Sequence, residues 1–155
     1  MLQVGNNVPA FSALNQNGNA VNATDLRGRW AVLYFYPKDS TPGCTQEACD
    51  FRDANEILQS LGCKIFGISK DSAKSHTNFI SKYELPFDLL SDTTVELCQS
   101  FGVWVEKSMY GKKYFGIQRA TFLINPNGQI VHVWENVSVN GHANEVLEKL
   151  KEKLA

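Results

Sequence analysis

Two cysteines that lie five positions apart, Cys44 and Cys49, are the residues of this chain best suited to chemistry. They follow a Pro-Gly pair in the stretch FYPKDSTPGCTQEAC, which spans residues 35–49. An apolar run precedes the stretch, and apolar residues recur after it at close to the helical period. Cys44 is therefore predicted in the first turn of a helix, where unpaired backbone N–H groups and the helix dipole favour an anion. A thiolate at such a place is a nucleophile that can be oxidised.

Two other uses of these cysteines are disfavoured. Zinc sites take four ligands, usually with two to four residues between the members of a pair, but Cys63 and Cys98 stand alone in apolar surroundings and no histidine is near. We therefore predict no metal site. The Cys-x-x-Cys spacing of dithiol oxidoreductases is also missing, which disfavours a protein-disulfide oxidoreductase.

Helix geometry indicates what Cys44 and Cys49 can do together. Residues five apart on a helix have Cα atoms separated by about 8.6 Å, whereas a disulfide needs at most about 6.8 Å. The pair can bond only if the first turn and a half of the helix unwinds, so it is predicted to be a switch and not a passive crosslink. The alternative for Cys49 is an ordinary, partly buried helix cysteine.

Composition excludes several classes of protein. The chain has 155 residues, 15 Lys and Arg against 16 Asp and Glu, and a net charge of −1, so a nucleic-acid partner is not expected. No window approaches 18 apolar residues, so no membrane span is expected. The N-terminus lacks the basic and apolar regions of a signal peptide, which favours a cytoplasmic protein with free thiols. No linker or repeat interrupts residues 1–155, which indicates one domain.

The predicted elements alternate between strands and helices. An Asn-Gly turn at residues 15–18 predicts an N-terminal β-hairpin, and Trp30–Pro37 reads as a buried central strand. Further strands are predicted at 63–69, 87–92, 120–124 and 129–134, and helices at 43–61, 72–83, 93–101 and about 143–154. This order predicts an α/β protein with a thioredoxin-like fold, a mixed central sheet flanked by helices.

The motif Y-P-x-x-x-T-P-G-C-T-x-E-x-C is specific, and the chain resembles the peroxiredoxins of the Q or bacterioferritin-comigratory-protein subfamily. Similar segments, including IFGISKDSAKSHTNF, FDLLSD and FGVWVEKSMYGKKYFGIQRATFLINPNGQI, extend the resemblance over nearly the whole chain. The resemblance implies a thiol peroxidase that reduces hydrogen peroxide and alkyl hydroperoxides without a metal or other cofactor.

The resemblance also implies roles for individual residues. Cys44 matches the cysteine that attacks the peroxide and becomes a sulfenic acid, and Cys49 matches the resolving cysteine that forms an intramolecular disulfide, which thioredoxin or a similar dithiol then reduces. Thr41 matches the threonine that hydrogen-bonds the peroxide, Pro37 the proline that shields the thiolate, and Arg119 the arginine that holds thiolate and peroxide together. An internal resolving cysteine needs no partner subunit, so a monomer is expected.

Several alternatives stay open at this point. Without the resemblance, Arg119 reads as a strand-end arginine in a surface ion pair. Glu47 is interpreted as a first-turn helix acid, with a bond to an arginine as the alternative. Cys63 and Cys98 are expected to be buried and inert, although Cys98 could replace Cys49.

A second function also remains possible, a thioredoxin-fold redox sensor or binding protein with a disulfide switch. Trp104 and the aromatic segment from Tyr110 to Tyr114 are expected to line the entrance of the site or to contact the reductant. The alternative is that they are surface-loop aromatics that cover the edge of the sheet.

Overall fold

The computed structural model describes residues 1–155 and contains one large mixed sheet and a separate two-stranded ribbon. The strands are β1 Ser12–Asn15, β2 Ala20–Asn22, β3 Trp30–Phe35, β4 Cys63–Ser69, β5 Asp88–Ser91, β6 Trp104–Met109, β7 Lys112–Ile117, β8 Ala120–Ile124 and β9 Ile130–Trp134. The helices are α1 Pro42–Ser60, α2 Ala73–Tyr83, α3 Glu96–Phe101 and α4 His142–Leu154. No helix has the length and apolar character needed to cross a bilayer.

The large sheet has the strand order β2-β1-β5-β4-β3-β8-β9. Strands β3, β4 and β5 are parallel, whereas β8 runs antiparallel to β3 and the hairpin β1–β2 joins the sheet beside β5. The predicted thioredoxin-like α/β fold with an N-terminal hairpin is thereby confirmed. Parallel strands at the centre of a sheet need helical crossovers, and α1 and α2 provide them.

Strand β3 is buried on both faces, as its near-continuous apolar sequence predicts. Val32 and Tyr34 pack into one core cluster with α1, α2 and α4, while Leu33 and Phe35 pack into a second cluster with α3. The alternation follows from the two-residue period of a strand. The carboxyl end of β3 therefore lies at the centre of the molecule, and α1 begins close to it.

Helix α1 begins directly after Thr41, with Pro42 in its first position. A proline is well suited there because its fixed φ matches a helix and its missing N–H needs no partner. The side chains that α1 buries recur at helical spacing and face the sheet, and they include Ala48, Phe51 and Leu58. This apolar stripe fixes which face of the helix turns inward, and Cys44 belongs to it.

The ribbon of β6 and β7 is the part of the fold that sequence reasoning missed. Its strands pair only with each other, and Tyr110 and Gly111 at the turn both have positive φ, as in a tight hairpin. Tyr110 is 97% exposed and Phe115 is 57% exposed. Because both faces of the ribbon are largely exposed, its sequence lacks the clean apolar alternation of a half-buried strand. Contact with the reductant stays a prediction.

A substitution at Gly67 tests how tightly the side chains pack around the central strands. A Cβ built on Gly67 would lie 2.6 Å from Leu89 Cδ2 and 2.8 Å from Tyr34 Cζ. Gly67→Ala is therefore expected to lower the free energy of unfolding by about 1–3 kcal/mol, because the well-packed core cannot admit the extra carbon without strain. Urea unfolding followed by circular dichroism measures the loss.

Gly116→Ala is the matched control for this substitution. Its added carbon would meet the flexible Lys107 side chain at 3.3 Å in the exposed ribbon, so a change within about 0.5 kcal/mol is expected. Equal losses in the two variants would contradict the proposed packing constraint.

Candidate active site

Cys44 is the third residue of α1, and its side chain is 1% exposed. The first hydrogen bond of the helix joins the Thr45 N–H to the Thr41 carbonyl at 2.8 Å. The N–H groups of Gly43 and Cys44 precede that bond and therefore have no acceptor within the helix. The sulfur thus lies where the helix dipole favours an anion, as its position in the sequence predicts.

Arg119 reaches this helix start from a position 75 residues further along the chain. Its Nη2 atom donates to Cys44 Sγ at 3.2 Å, and its Nη1 atom donates to Glu47 Oε1 at 2.6 Å. Strand pairing explains the meeting, because Phe35 at the end of β3 lies opposite Ala120, the first residue of β8. The residue before β8 is therefore delivered to the carboxyl end of β3, where α1 begins.

The guanidinium forms a fixed bridge between two acceptors on one face of α1. Arginine keeps its charge at all relevant pH values, and its planar fork can serve both acceptors at once. The backbone leaves room for it, since a Cβ on Gly43 would lie 3.4 Å from Nη2. The side chain of Arg119 is only 16% exposed. The interpretation of Arg119 as a surface arginine is therefore wrong.

Glu47 is the functional residue that sequence reasoning set aside. Its side chain is 1% exposed, Oε1 accepts from Arg119, and Oε2 has no partner. Burial raises the pKa of Glu47 to about 7, although the charge of Arg119 opposes the shift. A sequence signal was available, because Glu47 lies three residues after Cys44 and one before Ala48, on the buried stripe of α1. An acid on an apolar helix face needs a buried partner.

Thr41 and Pro37 lie in the loop of residues 36–41, which connects β3 to α1 and is called the catalytic loop below. Both are half-buried. The Thr41 hydroxyl donates to the Lys38 carbonyl at 2.9 Å and not to the sulfur. Its oxygen remains able to accept a hydrogen bond, and the loop holds both side chains within a few residues of Cys44.

Cys49 is half-buried on the same uninterrupted helix as Cys44, and all four cysteines are free thiols. Because both residues are helical, the estimate of about 8.6 Å between their Cα atoms applies to the folded helix. This arrangement holds the two sulfurs apart. The Cys44 sulfur can react with a small oxidant first. A disulfide with Cys49 can form only after the start of the helix unwinds.

The other two cysteines are poorly placed to replace Cys49. Cys98 packs in the cluster on the opposite face of the sheet from Cys44, so the sheet separates them. Cys63 begins β4, whereas Cys44 follows the far end of neighbouring β3, which lies five residue steps or about 17 Å along the strands from Cys63. Burial raises the pKa of Cys63 to about 12. Burial and the nearby Asp92 raise the pKa of Cys98 well above its ordinary value.

The sulfur of Cys44 is almost fully buried at this site. None of four surface cavities of about 310–450 Å³ is lined by Cys44 or Arg119. The buried sulfur suits a reaction on a few atoms, such as the two oxygens of a peroxide.

Comparison with known proteins agrees with this geometry. The family model of the AhpC/TSA family matches residues 4–133. The chain is 49% identical to a putative peroxiredoxin bcp of Coxiella burnetii, over 96% of this chain and 99% of that one. It is 44% identical to peroxiredoxin Bcp of Bacillus subtilis, over 97% and 96%.

A solved structure of the Xanthomonas campestris bacterioferritin comigratory protein, from work on its alkyl peroxide reduction activity, superposes with a TM-score of 0.90. The two chains are 45% identical, with 94% of this chain and 92% of that one covered.

The raised pKa of Glu47 predicts a pH-dependent stability that Glu47→Gln removes. Between pH 4.5 and about 7, the folded protein holds a proton that the unfolded chain has lost. The contribution of Glu47 to the free energy of unfolding is therefore complete below pH 4.5 and falls by on the order of 3 kcal/mol as the pH rises through about 7. Urea titrations at pH 5 and pH 7.5 measure this loss.

The Gln variant is a matched comparison because its amide oxygen can still accept from Arg119. Its free energy of unfolding should fall less between the two pH values than that of the unmodified protein. Other titrating groups, including His142, whose pKa burial lowers to about 4, are common to both proteins and cancel in the difference. Equal pH dependence of the two proteins would rule out a raised pKa at Glu47.

Proposed function

Because the chain belongs to the AhpC/TSA family, as a peroxiredoxin of the Q or bacterioferritin-comigratory-protein group, we propose that Cys44 and Cys49 carry its catalytic cycle. The protein is a thiol peroxidase, an oxidoreductase that reduces peroxides and is recycled by a thioredoxin-type reductant. The observation that most directly supports Cys44 as the attacking residue is the 3.2 Å hydrogen bond from the Arg119 guanidinium to its sulfur.

In the first step the Cys44 thiolate attacks the terminal oxygen of hydrogen peroxide or an alkyl hydroperoxide. A sulfur–oxygen bond forms as the oxygen–oxygen bond breaks, so the sulfur is oxidised to a sulfenic acid. The leaving oxygen takes a proton from solvent and becomes water or an alcohol. Negative charge moves from the sulfur to the leaving oxygen. A fixed cation beside both atoms stabilises this transition state more than the resting thiolate.

Three neighbours of the sulfur have separate roles in this step. Arg119 hydrogen-bonds the thiolate and stabilises the leaving oxygen with another of its N–H groups. Glu47 keeps the guanidinium in place through the 2.6 Å ion pair. Thr41 turns its hydroxyl from the Lys38 carbonyl to the bound peroxide. Pro37 contributes a rigid apolar wall without an N–H, which excludes water from the thiolate.

The second step joins Cys49 to the oxidised Cys44. The Cys49 sulfur attacks the sulfenic sulfur, a disulfide forms and water leaves. The helix must first unwind over about a turn and a half, because the folded helix keeps the two Cα atoms beyond disulfide range. A thioredoxin-type dithiol then reduces the exposed disulfide by exchange, and the helix reforms.

Both reacting cysteines lie on one helix of one chain, which supports a monomeric enzyme. Four free thiols suit a reducing compartment, which supports a cytoplasmic location. Size-exclusion chromatography with light scattering, run on the reduced and the oxidised protein, checks the first of these proposals.

Serine substitutions at the two cysteines test the assigned cycle. Cys44→Ser should abolish peroxide consumption, because a serine hydroxyl is not a comparable nucleophile at neutral pH. Cys49→Ser should consume about one equivalent of peroxide and then stop cycling with thioredoxin, because no disulfide can form. Stopped-flow kinetics and mass spectrometry of linked peptides measure these outcomes.

Cys63→Ala is the cysteine control and should cycle at close to the unmodified rate. Normal thioredoxin-dependent cycling by Cys49→Ser would show that another residue resolves the sulfenic acid. Retained activity in Cys44→Ser would refute the cycle altogether.

Arg119→Ala tests the electrostatic role. Loss of a preorganised donor at a developing negative charge should lower the rate constant for oxidation of Cys44 by roughly 10²-fold. Arg119→Lys should recover part of this rate, since it keeps the charge but not the fork that also binds Glu47. The exposed Arg29→Ala is the control. An unchanged oxidation rate in Arg119→Ala would contradict the role.

A further inference from the structure

A fully buried histidine lies directly beneath the catalytic loop. His76 is on α2, and its Nδ1 atom is 2.7 Å from Asp39 Oδ2 in that loop. Its Nε2 atom is 3.2 Å from the carbonyl oxygen of Leu90 on β5. A carbonyl oxygen only accepts hydrogen bonds, and so does an ionised carboxylate. Both ring nitrogens must therefore carry protons if Asp39 is ionised, which makes the ring an imidazolium.

The hydrogen-bond partners of the Asp39 side chain match those of an ionised carboxylate, which can only accept. Oδ1 accepts a hydrogen bond from the Tyr36 hydroxyl at 2.6 Å, and Oδ2 accepts another from the Ser75 hydroxyl at 2.8 Å. Together with His76, three donors from two elements converge on one carboxylate. A buried carboxylate and a buried imidazolium that are both fully hydrogen-bonded form a pair, and neither is an isolated charge.

The main chain of Asp39 is held as firmly as its side chain. Its N–H donates to Asp71 Oδ2 at 2.8 Å, and the same oxygen accepts from the Ser69 hydroxyl at 2.7 Å. The next residue, Ser40, has φ of 64°, a left-handed conformation that is uncommon outside glycine. Such a conformation persists where neighbouring contacts impose it. The anchored Asp39 thus bends the chain so that Thr41 can begin α1.

We propose that His76 is a positioning residue for the oxidation of Cys44, an inference that rests on the proposed role of that cysteine. Its imidazolium holds Asp39, and Asp39 fixes the end of the catalytic loop from which Thr41 and the first turn of α1 project. His76 touches neither the sulfur nor Arg119. It acts through the loop, by keeping the peroxide-ready arrangement of the helix start.

The interatomic distances in this cluster fit a shared proton better than a shared metal ion. One ligand atom from each of Asp39, Asp71 and His76 lies within 4.8 Å of the others. Two ligands of one zinc ion, each about 2.05 Å from it at a tetrahedral angle, lie about 3.3 Å apart. The observed 2.7 Å between His76 Nδ1 and Asp39 Oδ2 is a hydrogen-bond distance. The groups that face the ring are the carboxylates of Asp39 and Asp71 and the Tyr36 hydroxyl, and Asp39 is the carboxylate that pairs directly with the ring.

The hydrogen bonds that hold Asp39 have different consequences for the two steps of the cycle. Oxidation of Cys44 needs the catalytic loop and the helix start to be ordered, so release of Asp39 slows it. Disulfide formation needs the helix to unwind from its first turn, so release of Asp39 leaves this step unchanged or faster. A loss of global stability alone would not separate the steps in this way.

The kinetic experiment uses the full chain and three substitutions. His76→Gln removes the cation, and Tyr36→Phe removes one donor to Asp39 while keeping the buried ring. Stopped-flow measurements should show oxidation of Cys44 slowed by about tenfold in His76→Gln and about threefold in Tyr36→Phe, with no slower disulfide formation in either. His132→Gln, on edge strand β9, is the histidine control and should change neither rate by more than about twofold.

A spectroscopic measurement keeps the inference testable if His76→Gln fails to fold. In the folded protein at neutral pH, ¹⁵N NMR of the histidine side chains should identify one ring, that of His76, with both nitrogens protonated. In Asp39→Asn the same ring should show one unprotonated nitrogen. The unmodified protein and Tyr36→Phe then carry the test.

The overturning results are specific. An unprotonated ring nitrogen on His76 in the unmodified protein, unchanged oxidation in a folded His76→Gln, or equal slowing of both steps would each refute the inference. Cys44→Ser, assayed in parallel, separates this failure from failure of the proposed cycle. If that variant still consumes peroxide, the cycle is wrong, whereas its inactivity beside a normally oxidised His76→Gln refutes only the positioning role.

Discussion

The active site depends on one largely buried cation, the guanidinium of Arg119. Arg119 contacts Cys44 and Glu47 on the same face of α1, and the guanidinium therefore joins the helix start to the segment before β8. Burying an arginine is unfavourable unless charged partners satisfy it. Here the partners are the reactive sulfur and a carboxyl group, so the bridge that stabilises the fold at this point also places a positive charge beside the sulfur.

The buried position of Glu47 makes this bridge adjustable. Desolvation favours its neutral form while Arg119 favours its charged form, and the balance raises the pKa of Glu47 to about 7. A change in the charge of Glu47 near neutral pH therefore alters how strongly the guanidinium of Arg119 is held. Electrostatic support for the sulfur and the protonation of a neighbouring carboxyl group are thereby coupled in one small site.

The cycle makes opposite demands on the same segment. Oxidation needs the first turn of α1 ordered, because Arg119 donates to the sulfur only in that geometry. Resolution by Cys49 needs the same turn unwound. The fold accommodates both by confining the change to a helix terminus that starts with the exposed residues Pro42 and Gly43. Asp39, held by His76, marks where the fixed part of the chain ends, and the strained Ser40 follows it directly.

The sequence by itself determined the elements and the reactive residue. Periodicity placed β3, α1 and α4 close to their observed bounds, and the spacing of Cys44 and Cys49 on one helix excluded a disulfide in the folded state. These features are local, because they depend on residues within a few turns of one another. The ribbon of β6 and β7 was missed because neither face is buried enough to impose an apolar alternation.

Only the tertiary structure decided which distant groups meet. Arg119 and Glu47 are 72 positions apart, and His76 and Asp39 are 37 apart. Taken singly, Arg119 reads as a surface arginine and Glu47 as a helix acid, and no sequence pattern joins His76 to Asp39. The pairing of β3 with β8 and the crossover through α2 bring them together, because strand register carries a side chain to a fixed place across the sheet. The charge environment of the sulfur is therefore a property of topology.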